Sequence, residues 1–363
     1  MRGLPGPAVF AADDIVILSV PFWAWQVAFA VVLVGGLVLL ARTALRPTTA
    51  TLRWWGLANI AANAGIAVTG ATVRVTSSGL GCSEWPRCTE ESFVPIGTGH
   101  AALNAAIEFG NRMLTFVVLA VGVIVFVAVL RSRPRRRDLL TLATVIPLGV
   151  LGQGVVGGIT VWSSLHPASV AAHFLLSMVV VVLTVAFYVR CREPEGVLRP
   201  TVSPLTRGIA TALVPVGFAL LVAGTVVTGT GPHGGDADAP RWGFDIVAVT
   251  RVHSVLAWAV VLGAVALLVP ALRAGAPRGV RTPALLLVAA VLAQGAVGYA
   301  QYFLGLPEAL VVLHVLGSTL VWVAILRVYF GTAERVAVTG GEAAAPETAA
   351  GAPADPTAAA ARP

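Results

Sequence analysis

The chain has 363 residues, of which 57% are hydrophobic and only 11% charged, and its mean hydropathy is +0.87. A soluble domain carries about twice that share of charge, so a water-covered globular surface is excluded and most of the exterior has to meet lipid. All 24 basic residues are arginine and the formal charge is +7, a balance that would suggest nucleic acid only if the arginines formed one patch.

In chain order the apolar stretches fall at about 15–42, 53–73, 100–130, 139–162, 169–190, 208–230, 246–272, 283–304 and 308–330. Each has the roughly 20 residues a helix needs to cross a hydrocarbon core of about 30 Å. Helix is the expected form because lipid offers backbone groups no partners. Pro21, Pro147 and Pro215 are expected to bend their helices rather than end them. The first stretch lacks the basic start and cleavage site of a signal peptide, so it reads as an extra spanning helix. Past residue 337 the sequence GGEAAAPETAAGAPADPTAAAARP is of low complexity and is expected to be disordered.

Alternate loops differ in arginine. Arg42 and Arg46, then Arg131, Arg133, Arg135, Arg136 and Arg137, then Arg190, Arg192, Arg199 and Arg207, then Arg273, Arg278 and Arg281 mark one side, with Arg327 and Arg335 at the end of the last helix. The opposite loops hold only Arg74, Arg87 and Arg241. The positive-inside rule makes the rich side cytoplasmic. That orientation puts the N-terminus, Cys82, Cys88 and His233 outside and the C-terminus inside a bacterial plasma membrane. The charge is then a topology signal, and no nucleic-acid partner is required.

An internal repeat organises these spans. LGQGVVGGITVWSSLHPASVAAHFLLSM at 151–178 aligns without a gap on LAQGAVGYAQYFLGLPEALVVLHVLGST at 292–319, pairing Gln153 with Gln294, Gly157 with Gly298, His173 with His314 and Ser177 with Ser318. VTGATVRVT at 68–76 resembles VTGTG at 227–231. The expected fold is all-α and polytopic: two four-helix bundles in parallel repeat plus one extra N-terminal transmembrane helix. The corresponding divisions are an extension at 1–52, a first bundle at 53–190, a linker at 191–207, a second bundle at 208–330 and a tail at 331–363.

Ionisable residues at membrane depth are costly and point to function. Helix 100–130 carries Glu108, Asn111 and Arg112; helix 246–272 carries Arg251 and His253; His173 and His314 sit on later helices. At 1.5 Å per residue, Glu108 and His253 lie roughly 12 Å from the outer end and the other two histidines roughly 6–9 Å. Two histidines on different helices of the second bundle can give two axial imidazoles to a haem iron, with Gly295, Gly298, Gly317 and Ala257 leaving room for a porphyrin. The bland alternative is a pair of core histidines bonded to carbonyls. In the first bundle Asn111 stands where the second has His253, and Glu108 lies one turn away on the same face. A carboxyl group with one imidazole suits proton transfer on something bound, or Glu108 simply pairs with Arg112. Arg74, Arg112 and Arg251 are candidates for propionate contacts. Cys82 and Cys88 either close a short disulfide loop or exchange electrons with a partner. Cys191 has no partner and reads as inert, and His100, His166 and His233 read as loop or surface residues.

Taken together, VTGATVRVTSSGLGCSEWPRC, EFGNRMLT, QGVVGGITV…HFLLS and QGAVGYAQY…HVLGS resemble the haem A synthase family over about 53–330. The resemblance implies a membrane oxidase that converts haem O to haem A, oxidising one ring methyl to a formyl by successive hydroxylations. It implies a resident haem b on His253 and His314, and substrate haem in the first bundle near His173. It also implies a catalytic Glu108 and an exterior cysteine pair at Cys82 and Cys88. Haem O synthase, oxidase assembly factors and an electron acceptor would be partners beside the membrane lipid. The family motif often has histidine where this chain has Asn111, and the usual plan has eight helices without the stretch 15–42. A non-enzymatic subunit of cytochrome b type would want a second bis-histidine site, and a parallel-repeat transporter would place its polar groups near the midplane.

Overall fold

The computed structural model describes residues 16–17, 20–21, 31, 35–36, 38–96 and 99–337. Among these are eight helices long and apolar enough to cross a membrane: α1 (Thr49–Val75), α2 (Gly99–Arg131), α3 (Arg137–Trp162), α4 (Pro167–Arg190), α5 (Pro204–Thr230), α6 (Ile246–Arg273), α7 (Arg278–Phe303) and α8 (Glu308–Gly331). Their limits follow local chemistry. Thr48 and Thr51 form a reciprocal capping box at α1, Ser203 caps α5 ahead of Pro204, and Asp245 accepts from Ala248 N at the start of α6. Each cap satisfies backbone donors that the first helical turn leaves without partners. Pro147 and Pro215 lie inside helices that continue past them, as expected. His166 is the N-cap of α4, its Nδ1 accepting from Ala168 N, rather than a plain loop residue.

Most of the predicted span at 15–42 lies outside the described residues. Its start is not helical: Val16–Ile17 pair antiparallel with Val20–Pro21, so Pro21 does not bend a helix. The β-branched residues favour extended backbone, and proline is tolerated in an edge strand. Residues 38–45 are helical.

Helices α1 to α4 form one bundle, with α1 packed on α2 and α4 and α3 between α2 and α4. Helices α5 to α8 repeat that arrangement, and α8 packs against α1 and α4 across the seam. Large apolar side chains such as Phe116, Val255 and Leu262 are exposed, which is the expected exterior of a bundle in lipid. Inside, Met178, Val181 and Val185 of α4 share one core with Trp322, Ile325 and Leu326 of α8. Trp322 Nε1 donates to Met178 O at 3.0 Å, tying the two bundles through a buried bond.

Both bundles begin at the same end, which carries the arginine-rich loops and is called here the arginine end; the opposite end carries the loop with Cys82 and Cys88. At the arginine end, order extends beyond the tail boundary expected at 331. Strand β1 (Val197–Pro200), in the linker, pairs antiparallel with β2 (Ala333–Val336), just after α8. Arg335 meets Asp138 at 3.5 Å, and Arg136 binds the same carboxylate through Nε at 3.0 Å and Nη2 at 2.8 Å. Arg136 also donates to the carbonyls of Glu193 and Arg190. Linker and tail are thereby clipped to the first bundle.

Candidate haem sites in the two bundles

In the second bundle, His253 comes from α6 and His314 from α8, and their ring centroids are 6.3 Å apart. Each ring rests on a glycine of the neighbouring helix. A Cβ on Gly224 would lie 3.3 Å from His253 Cε1, and one on Gly298 would lie 3.2 Å from His314 Cε1. Gln294 Nε2 donates to His314 O at 2.7 Å, fixing the helix that carries the histidine. The Nδ1 atoms of both rings are buried without a hydrogen-bond partner. Buried polar atoms in that state need a further partner. The separation suits one metal ion held between two imidazoles, at about 2 Å per metal–nitrogen bond plus the half-width of each ring. The residues therefore fit a bis-histidine haem. Gly295 has open space before it, whereas Gly317 accommodates the Gln294 side chain, whose Oε1 a Cβ there would meet. Gly317 thus makes room for the glutamine, not for a porphyrin as its small size suggested.

The first bundle is built from matching parts with a different outcome. His173 on α4 lies against Gly157 of α3, where a Cβ would come 3.4 Å from Cε1. Gln153 Nε2 donates to His173 O at 3.3 Å, the counterpart of the Gln294 bond. His173 Nδ1 is also buried and unpartnered. Asn111, at the position matching His253, has its Oδ1 accepting from Thr69 Oγ1 of α1 at 2.7 Å. A cavity of about 380 Å³ adjoins this pair between α1 and α2, with Thr72, Ile107, Gly110 and Leu114 also in its wall.

Glu108 is buried and both of its oxygens are engaged. Oε2 accepts from Cys82 N at 2.6 Å, while Oε1 accepts from Arg112 Nε at 3.0 Å and also from Nη2. Arg112 continues into the loop, donating to Glu84 O at 2.8 Å, Arg87 O at 2.9 Å and Cys82 O at 3.2 Å. Those three carbonyls lie within the turn closed by the Cys82–Cys88 disulfide. The expected ion pair is present, and it also anchors the loop. A buried ion pair is stable only when its remaining hydrogen-bonding positions are filled, and the loop backbone fills them here. Gly81 is needed because a Cβ would come 2.5 Å from Asn104 C, so the loop backbone lies directly on α2. Trp85 covers Gly158 of α3 and meets Trp162 edge to face at 5.4 Å.

The second bundle's corresponding loop has no cysteine. Arg241 ties it instead, donating to Gly231 O at 2.9 Å, Pro232 O at 2.9 Å and Ala239 O at 2.6 Å. His233 is half-buried, with Nε2 3.0 Å from Leu306 O, and is not the solvated residue its loop position suggested.

Of the three arginines considered for propionates, Arg74 reaches across the seam. It donates to His233 O at 2.5 Å and Thr228 O at 3.1 Å, so it joins the bundles. Arg251 is exposed and two residues from His253, a spacing that puts side chains on different helix faces. Arg112 is the anchor already described. Thr69 and the two glutamines are the residues that sequence reasoning did not assign. The repeat marked Gln153 and Gln294 as equivalent positions, but their bonds to the histidine carbonyls were not apparent from it.

Outside the spans, burial raises the Cys191 thiol to about 11 against the opposing pull of the nearby arginines Arg192, Arg53 and Arg136, in keeping with an inert residue. Arg136 is raised by its bond to Asp138.

Residues 53–326 match the family model described as cytochrome oxidase assembly protein, COX15-CtaA. No curated relative matches the sequence.

Proposed function

The chain belongs to the COX15-CtaA family of cytochrome oxidase assembly proteins, and from that premise we propose that it is a haem A synthase. In this reading it oxidises one ring methyl of haem O to the formyl of haem A by successive hydroxylations. The observation that carries the reading is the pair His253 and His314, 6.3 Å apart on different helices and backed by Gly224 and Gly298. That arrangement supports a resident haem b in the second bundle. When bound there, the haem supplies one-electron redox chemistry.

The first bundle is assigned the substrate. His173 positions the incoming haem, with Gln153 steadying its helix and the isoprenoid tail remaining in apolar surroundings. Glu108 exchanges a proton at Oε2, the oxygen that faces Cys82 N, while Arg112 fixes Oε1. A carboxyl group held by bonds to a neighbouring loop and a neighbouring side chain is pre-organised for that role. By the positive-inside rule the arginine end faces the cytoplasm of a bacterial cell, which puts the disulfide loop outside. Haem O synthase, oxidase assembly factors and an electron acceptor are the partners this role requires.

The test is haem analysis of cells co-expressing the chain with a source of haem O. Haem A should appear with the intact chain, and Glu108→Ala should accumulate haem O or a hydroxylated intermediate instead. A normal haem A yield from that variant would remove Glu108 from the mechanism.

A further inference from the structure

The internal repeat allows one position to be compared between the bundles. His253 on α6 corresponds to Asn111 on α2, and in the aligned segments Gly224 on α5 corresponds to Gly65 on α1. In the second bundle the imidazole of His253 lies on Gly224. In the first, Gly65 has nothing within 4 Å of where a Cβ would stand. The glycine is kept and no side chain occupies the space before it.

Asn111 is held elsewhere. Thr69 Oγ1 donates to its Oδ1 at 2.7 Å, and a Cβ on Gly70 would lie 4.0 Å from its Nδ2. Thr69 and Gly70 are about one helical turn from Gly65 toward the disulfide end. Thr69 Oγ1 is also 3.0 Å from Ile66 O of its own helix, and its repeat counterpart Thr228 makes a similar bond within its helix, to Gly224 O at 2.8 Å. The bond across helices therefore accompanies the asparagine. A neutral amide oxygen is also a weaker partner for haem iron than imidazole nitrogen, and here it is already engaged.

We propose that Thr69 holds Asn111 away from the substrate iron. Haem in the first bundle is then ligated by His173 alone, and its opposite face stays open to a small exogenous ligand such as a diatomic gas. This rests on the reading of the first bundle as a haem site. The space before Gly65, which the imidazole of His253 fills at Gly224 in the second bundle, is large enough for a diatomic molecule.

The experiment uses the full-length protein with its resident haem, loaded with haem O, and carbon monoxide as the probe. Loaded wild type should show one high-spin haem by electron paramagnetic resonance and should bind carbon monoxide when reduced, beside a low-spin resident haem that does not. Asn111→His should turn the loaded haem low-spin and weaken carbon monoxide binding by on the order of tenfold or more. Asn111→Ala, which needs no new packing, should leave it high-spin and reactive. Thr69→Val should slow carbon monoxide association several-fold, because the released amide can enter the site; an unchanged rate would remove Thr69 from the account. A loaded wild-type haem that is low-spin, refuses carbon monoxide and becomes reactive in Asn111→Ala would overturn the proposal while sparing the first bundle as a haem site. Failure of the wild type to take up a second haem would overturn that reading, and the proposal with it.

Discussion

The two bundles share a plan and differ in what their polar groups bind. In the second, His253 and His314 approach each other across the bundle, and the loop above is tied by Arg241 to its own backbone. In the first, the residue matching His253 is an asparagine bonded to a threonine, and the charged pair Glu108–Arg112 is bonded to a disulfide-closed loop. In the proposed reading, one bundle holds an iron from both sides. The other offers a single imidazole, an open space before Gly65 and a carboxyl group fixed by the loop. A duplicated scaffold thus carries different polar groups at matched places, and the proposed division into a holding site and a site with a free position rests on those few substitutions.

The largest expected effects come from the glycines under the histidines. Gly298→Leu should displace the His314 ring and lower resident haem content on the order of tenfold or more, read from the haem spectrum of the purified protein. Gly157→Leu, its repeat partner, should leave that haem in place and abolish haem A formation. If both variants lost the same haem, the division of labour between the bundles would fail.

A smaller effect is expected at the loop that distinguishes the first bundle. A Cβ on Gly158 would meet Trp85 Cδ2 at 2.6 Å, so Gly158→Ala should cost about 1–3 kcal/mol through forced repacking. Thermal unfolding in detergent measures the loss. The same variant should expose the disulfide, whose cysteines are at most 1% exposed, to faster reduction.

At the arginine end, Asp138→Asn weakens the contacts with Arg136 and Arg335 and should cost about 1.5–3 kcal/mol, as for hydrogen bonds to charged groups. Haem content should not change.

The smallest effect concerns Cys191. With its thiol raised to about 11, the native protein should resist alkylation near neutral pH, where the thiolate is the reacting form. Unfolded without reductant, it should release one reactive thiol, the other two cysteines being joined. The sign for stability follows from the same shift. Burial favours the neutral thiol in the folded state, so its contribution is complete below the ordinary value of 9.0 and falls as pH rises toward 11.

Much of this was legible in the sequence because lipid imposes a simple rule. The apolar stretch 139–162 became a helix at Arg137–Trp162 and 246–272 became Ile246–Arg273, since a spanning segment must bond its own backbone. The repeat placed His173 on His314 and Asn111 on His253. The bond from Cys82 N to Glu108 had no such signal, because every residue but proline has the same backbone donor. The pairing of β1 with β2 was hidden for a related reason. Two four-residue segments, one expected in the linker and the other in the tail, pair only because the bundles bring them together. Arg74 reads in the sequence as a candidate propionate contact, and its bonds to the Thr228 and His233 carbonyls depend on the seam between the bundles, which has no local sequence signal.

The most direct test of the account is the haem content and type of the purified full-length protein compared with His253→Ala and His173→Ala. The account predicts that wild type and His173→Ala both retain a low-spin haem b, and that His253→Ala loses it. An unchanged haem b content and spectrum in His253→Ala would contradict the assignment of the second bundle as the resident haem site.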